Sequence, residues 1–484
     1  MAYISNKGFV LPMSILDDKM VNKIKTELEV SPDINFGNFI PESFKVYSSN
    51  TANFYVPIYY GITLGFEYTT KFEKYDSVSF EDCIILRDEQ TPCFDKCIEE
   101  KGKDFGGGII NVTTAFGKTV LGIKLASEFK CKTLIIVNKL ELVEQWKKEI
   151  KKFAPEATIG IIQGKHFDIE NKDIVIGMLQ SITIKNSLKS KDFVSFGMCI
   201  IDEVQNIPTK IFSKITKKIR PRYMFGLTAT LERKDKLENV IKWYTGDVVY
   251  TNISNSLKQT TEIHVYKYKG SSSISQELRD GSIAYSSMLS NISLDTDRNK
   301  LIINIINELL QEKDRNILVL SDRTSQLKYL NKHLGDEVSG LFIGSVKHDK
   351  LEETKTKRVL LGTYSMCSVG FSLAKLNCLV FATPRSSITQ AIGRIFRKEH
   401  TTITPVIVDV VDQFSVYSGQ YYRRKKIYNT SVKSPSFNVF NFTDTEDTES
   451  AEINSFLFED SDKLVYFSIN FIFILIFFFF CVRI

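Results

Sequence analysis

The run Ile109 to Thr119, IINVTTAFGKT, restricts the fold of this chain more than any other stretch. A short apolar segment stops at a turn of small residues, the turn closes on Gly-Lys-Thr, and a helical pattern follows over Val120–Phe129. A strand, a glycine turn and a helix N-terminus in that order form a cradle. Its backbone N–H groups and helix dipole face an anion. In such a cradle Lys118 brings a point charge to β- and γ-phosphates and the Thr119 hydroxyl sits on Mg²⁺, with Thr114, Ala115, Phe116, Gly117 and Val120 forming the rest of the loop and helix start. The pattern is incomplete. Val112 stands where a glycine six residues before the lysine is usual, and Ala115 where a further glycine is common. Taken alone, the run is equally an ordinary strand-to-helix turn, so the rest of the chain decides.

A chain of 484 residues exceeds one core and implies two or three domains. From Ile84 onward strand-like runs alternate with amphipathic helices: Ile109–Val112, Thr133–Val137, Thr158–Ile162, Ile174–Ile176, Met198–Ile201 and Met224–Leu227, with a helix over Leu140–Phe153 whose apolar face is Leu142, Val143, Trp146 and Ile150. This alternation predicts a parallel sheet flanked by helices, with phosphate sites at the carboxyl ends of strands. A second series begins at Arg298 and ends near Val411. The fold class is therefore α/β, with two tandem parallel-sheet domains over 83–245 and 298–430. The expected remainder is an accessory domain over 1–82, a connection over 246–297 with one or two strands inside it (Ile263–Tyr268), an acidic linker over 431–463 and an apolar tail over 464–482. The aromatic cluster Phe54, Tyr55, Tyr59 and Tyr60 reads as core, with base stacking as the alternative.

A net charge of +6 is compatible with a nucleic-acid partner without demanding one. Eight cysteines lie without a disulfide framework or zinc spacing, as in a reducing compartment. The uncharged stretch Leu464–Val482 has the length of a bilayer span, so a tail anchor stands beside a tail packed on the body and a tail without a selected role.

Three further constellations carry chemistry. Ile200-Ile201-Asp202-Glu203-Val204-Gln205 puts two carboxylates at the end of a buried strand: Asp202 suits Mg²⁺, and Glu203 suits polarisation of an attacking water. Leu227-Thr228-Ala229-Thr230 follows another apolar strand, where small hydroxyl residues can bond the acidic pair. Gln390-Ala391-Ile392-Gly393-Arg394-Ile395-Phe396-Arg397 reads as a helix over 388–396. Arg394 and Arg397 then share a face, either as arginine fingers or as a solvated basic face.

In this order, TTAFGKT, IIDEVQ, LTAT and QAIGRIFR resemble the motifs of a superfamily-two DExH-type helicase. Leu86–Gln90, Leu142–Trp146, Met178–Ser181, Arg233–Asp235, Phe381–Arg385 and Val408–Asp412 are similar to its XPB-like branch and to helicases of large cytoplasmic DNA viruses, the poxvirus transcript-release type among them. The resemblance implies two RecA-like domains and ATP hydrolysis between them. It implies adenine reading by Gln90, and catalysis by Lys118, Glu203, Arg394 and Arg397. It gives nucleotide contacts to Gly370 and Gln390, metal contacts to Thr119 and Asp202, and coupling to Thr228, Thr230 and Gln205. It implies nucleic-acid contacts for Gln180, Ser181 and Thr363. Gln205 replaces the usual histidine of that box, and Leu231 a common proline. The implied activity is an ATP- and Mg²⁺-dependent motor on the DNA backbone, in viral transcription or repair, with viral transcription machinery as partner and the virion or the host cytoplasm as location. RNA as the polymer, and a non-catalytic binding protein tethered by its tail, remain as alternatives.

Overall fold

The computed structural model describes residues 1–33, 41–113, 116–184, 188–210, 212–233, 235–252, 259–368, 373–443, 456–460 and 463–467. Thr114, Ala115, Gly370 and most of the apolar tail lie outside them. The chain divides into two compact units, Met1–Ile253 and Ser254–Ile484.

The first unit opens with β1 (Ala2–Ser5) and β2 (Gly8–Pro12), followed by α1 (Asp18–Glu27), which Asp17 caps by accepting the Met20 N–H. Strand β3 (Asn53–Val56) and the parallel β4 (Tyr68–Thr70) complete a small sheet around β1 and β2. Phe54 and Tyr60 are buried there and Tyr59 packs against them, so these three aromatics are core, while Tyr55 is half-buried. That core is not closed on itself. Leu237, Val240 and Tyr244 join it, and the Tyr60 and Trp243 rings meet edge to face at 5.4 Å.

The larger sheet follows from five runs that are apolar on both faces, which only a sheet covered on both sides can bury. These are β5 (Gly106–Val112), β6 (Thr133–Val137), β8 (Ile174–Met178), β9 (Met198–Asp202) and β10 (Tyr223–Thr228). With β7 (Ile159–Gln163) and β11 (Val248–Asn252) they pair in parallel in the order β7-β8-β6-β9-β10-β5-β11. The helices α2 (Thr91–Glu99), α3 (Lys118–Phe129), α4 (Leu140–Phe153), α5 (Leu179–Ile184) and α6 (Glu238–Thr245) complete this unit.

Among the described residues, the main sheet of the second unit has seven parallel strands: β12 (Thr260–Lys269), β13 (Ile317–Ser321), β14 (Ser339–Phe342), β15 (Val359–Thr363), β16 (Cys378–Phe381), β17 (Val406–Asp412) and β18 (Lys433–Thr443); Phe456–Asp460 and Lys463–Phe467 form a separate antiparallel pair. The order in the main sheet is β14-β15-β13-β16-β17-β12-β18. The helices α7 (Tyr285–Leu294), α8 (Thr296–Leu309), α9 (Thr324–Leu334), α10 (Thr389–Ile392) and α11 (Ser415–Ser431) connect and cover them. Both units are RecA-like.

Two expectations give way here, and a third is extended. The polar segment 246–297 holds the strand expected around Ile263–Tyr268, as β12, and also supplies edge strand β11 to the first unit and α7 to the second. The segment 433–443, expected within an acidic linker, is a strand beside β12. Phe440 stacks on Tyr266 at 4.7 Å, while Phe437 and Val439 pack on the opposite face, so alternation of apolar side chains drives the pairing. The helix expected over 388–396 covers only Thr389–Ile392. Beyond it the bonds tighten to i→i−3, from the Arg394 N–H to Ala391 O and from the Ile395 N–H to Ile392 O. Among the described residues no helix is long and apolar enough to cross a membrane.

Candidate nucleotide site

The cradle forms where β5 ends. Gly117, at φ +85°, turns the chain in the left-handed region, and Lys118 and Thr119 open α3. A side chain at position 117 would collide with Gln90, whose amide nitrogen would lie 2.6 Å from its Cβ. Gln90 is itself buried. Its side chain donates to Phe116 O at 2.7 Å, and its Oε1 accepts the Arg87 N–H at 3.0 Å. The Arg87 guanidinium also bonds Phe116 O. The segment before α2 is thus tied to the phosphate turn, which a sequence spacing of 26 residues gave no geometric reason to expect.

Asp202 and Glu203 stand at the end of β9. Asp202 is buried, and its Oδ1 accepts the Glu203 N–H at 3.0 Å. Burial and the Glu203 carboxylate push its pKa up to about 6, against the pull of the Lys118 ammonium and the Trp146 indole. Lys118 and Asp202 therefore share one neighbourhood. Glu203 has φ +53°, a left-handed conformation for a residue with a side chain. The Gln205 amide donates to Glu203 Oε2 and accepts from the Thr228 hydroxyl at 2.8 Å. Thr228 Oγ1 in turn accepts the Thr230 N–H at 3.0 Å, and the Arg233 guanidinium binds both Gln205 O and Asp235. The expected coupling residues Gln205, Thr228 and Thr230 thus form one hydrogen-bonded path that starts at Glu203.

Further along the same strand ends, Gln180 donates to Asn138 O at 2.9 Å, and Ser181 Oγ accepts the Gly164 N–H at 2.8 Å. Thr363 ends β15 in the second unit, its hydroxyl 3.2 Å from that of Ser365. Gln390 lies in α10, and Arg394 and Arg397 follow it in turns. Arg394 is 4% exposed, which removes the solvated-face reading for that residue. Burial also lowers the Arg397 pKa from its ordinary value. The segment that carries these arginines leaves β16 over a buried ionic scaffold. Arg298 Nε and Nη2 bond Asp412 at 2.7 and 2.9 Å, and its Nη1 bonds Ala382 O at 2.6 Å. Arg424 Nε bonds Asp409 at 2.8 Å and its Nη1 bonds Arg385 O at 2.9 Å.

Two residues of this neighbourhood went unassigned by sequence reasoning. Trp146 Nε1 donates to Asp202 Oδ2 at 3.0 Å, and the adjacent Gln145 Nε2 donates to Thr119 Oγ1 at 3.3 Å. Trp146 reads as one more apolar position on α4. The available signal was that an indole N–H, once buried, requires an acceptor.

Among the described residues no group of three or more His, Cys, Asp or Glu side chains could hold a metal ion. One carboxylate, Asp202, and one hydroxyl, Thr119, are hard oxygen donors of the kind that hold Mg²⁺ together with substrate phosphates.

Residues 83–233 match the family described as "Type III restriction enzyme, res subunit". The chain is 31% identical over 459 residues to the "Putative ATP-dependent RNA helicase L396" of Acanthamoeba polyphaga mimivirus, covering 90% of this chain and 86% of that protein. It is 28% identical to the "Probable helicase D10" of Escherichia phage T5, covering 72% and 75%. The fold resembles "The fragment structure of a putative HsdR subunit of a type I restriction enzyme from Vibrio vulnificus YJ016", with a TM-score of 0.53 at 13% identity over 74% of this chain and 70% of that one. The chain belongs to the superfamily-two helicases and resembles those of large DNA viruses.

Proposed function

We propose that the protein hydrolyses ATP to move along or separate nucleic-acid strands, with DNA as the polymer and viral transcription as the setting. The observation that carries the reading is the path Glu203–Gln205–Thr228–Thr230. A change at the phosphates reaches the end of β10 through three side-chain groups. In this reading the cradle and Lys118 bind the β- and γ-phosphates, and Glu203 orients and deprotonates the attacking water. Thr119 and Asp202 hold the Mg²⁺, which supplies charge neutralisation on the phosphates. Arg394 and Arg397 stabilise the charge that develops on the γ-phosphoryl group. Gln205, standing where the resemblance places a histidine, donates through its amide to the Glu203 carboxylate and accepts from the Thr228 hydroxyl. Polymer contacts go mainly to phosphates, so binding weakens steeply with salt.

ATP turnover measured alone and with single-stranded DNA, duplex DNA and RNA tests this. DNA-stimulated turnover that vanishes in Lys118→Ala supports the reading; full activity in that variant refutes it. The name of the mimivirus relative favours RNA as a second reading, and stimulation by RNA alone would establish it.

A further inference from the structure

Thr119 and Asp202 come from different parts of the chain, one from the first turn of α3 and one from the end of β9. Consecutive residues of a third element, α4, reach both. Gln145 donates to the Thr119 hydroxyl at 3.3 Å and Trp146 to Asp202 Oδ2 at 3.0 Å. The contacts are not incidental to a loose surface. Trp146 is 0% exposed, and its ring lies against Gly122 of α3, where an added Cβ would come within 2.7 Å of Cη2. The absence of a side chain at 122 therefore lets the indole lie between α3 and β9. With Oδ2 held by the indole and Oδ1 by the Glu203 N–H at 3.0 Å, the carboxylate plane of Asp202 is fixed from both sides.

We propose that Gln145 and Trp146 are positioning residues that set the affinity of the site for the divalent cation accompanying ATP. The proposal rests on the metal roles given above to Thr119 and Asp202. A carboxylate that must be turned into place on binding loses part of its binding free energy to ordering. One already held by a donor on a packed ring does not. The Gln145 amide does the same for Thr119: by donating to one lone pair of Oγ1 it leaves the other for the cation. Because the two residues are adjacent on one helix, a shift of α4 alters both ligands together. The helix starts at Leu140, two residues after Asn138, whose carbonyl accepts from Gln180.

The test is a titration of Mn²⁺, followed by its electron paramagnetic resonance signal, on the full chain with a non-hydrolysable ATP analogue. Wild type is compared with Trp146→Phe, which keeps most of the ring and removes the N–H, and with Gln145→Leu. Loss of such a supporting hydrogen bond weakens metal affinity about 10- to 100-fold, which is the result expected for each variant. Affinity for a fluorescent ATP analogue in EDTA should stay at the wild-type value, and saturating Mn²⁺ should restore turnover. Unchanged Mn²⁺ affinity in folded Trp146→Phe and in Gln145→Leu overturns the proposal. If Trp146→Phe fails to fold, Gln145→Leu, on a half-buried position, decides it alone. Wild-type protein that binds nucleotide in EDTA but gains no Mn²⁺ with it would refute the metal roles of Thr119 and Asp202 instead.

Discussion

Removing Arg298 should expose how the second unit holds its ionic scaffold. Arg298 and Asp412 are both 0% exposed at their side chains, and the guanidinium makes three hydrogen bonds, two to Asp412 and one to Ala382 O. Arg298→Met fills much of the same volume but leaves a buried carboxylate and a carbonyl without that donor. Breaking one side of a buried pair in this way costs about 3–5 kcal/mol. The double variant Arg298→Met/Asp412→Leu removes the stranded charge. It should recover most of the loss, leaving about 1 kcal/mol for the bond lost at the Ala382 carbonyl, which still accepts from Gln326 Nε2 at 3.4 Å. The pH dependence follows from the environment of Asp412, where burial raises the pKa and Arg298 opposes that rise. Without Arg298 the folded carboxyl is displaced further upward, while the unfolded one stays near ~3.9. The folded variant then holds a proton that the unfolded chain releases, so its stability falls as pH rises above about 4 and returns as pH is lowered. Between pH 7 and pH 5 the recovery is up to about 2.7 kcal/mol, at 1.36 kcal/mol per unit. Both tryptophans, Trp146 and Trp243, lie in the first unit. In urea unfolding, tryptophan fluorescence should therefore keep its midpoint while the part of the circular-dichroism change belonging to the second unit shifts. A loss of less than about 1 kcal/mol at pH 7, or a double variant as unstable as the single one, would refute the assignment of a stranded charge.

Gln205→Ala breaks the bridge between Glu203 and Thr228. It should leave polymer-independent ATP turnover within about tenfold of wild type while abolishing its stimulation by nucleic acid, measured as the ratio of the two rates. Gly122→Val pushes into the Trp146 ring and should destabilise the first unit by about 1–3 kcal/mol, seen directly in the tryptophan unfolding transition. In EDTA, Asp202 titrates with a folded pKa of about 6 against ~3.9 unfolded, so the protein should lose stability as pH rises from 4 to 6 and Asp202→Asn should flatten that slope. Removing residues 464–484 should release the protein from membranes in carbonate extraction if the tail is an anchor; equal partitioning of both forms would exclude one.

The parallel sheets were legible in the sequence because their strands are continuous apolar runs, TLIIV and MCIID among them, which nothing else in a chain of this composition accommodates. The acidic pair and the cradle lysine were legible because each follows such a run. What stayed hidden had a physical reason in each case. Strand β18, KSPSFNVFNFT, spreads its apolar side chains among Ser and Asn and reads as linker until Tyr266 supplies a partner for Phe440. The burial of Arg394 depends on turns that a helical projection cannot show. The contacts of Gln90 with Phe116 and of Trp146 with Asp202 join residues 26 and 56 apart, and only the fold brings them within reach.

The backbone at Glu203 has a consequence for how this protein can change over generations. A left-handed conformation in a residue with a Cβ costs about 1 kcal/mol, and glycine would relieve it. Glu203→Gly is therefore a substitution that the fold welcomes and the proposed chemistry does not survive. A lineage relieved of selection for turnover would drift toward glycine there and end as a sturdier protein that no longer turns over ATP. Retention of the glutamate against that gradient is a mark of a working enzyme that can be sought in any relative's sequence.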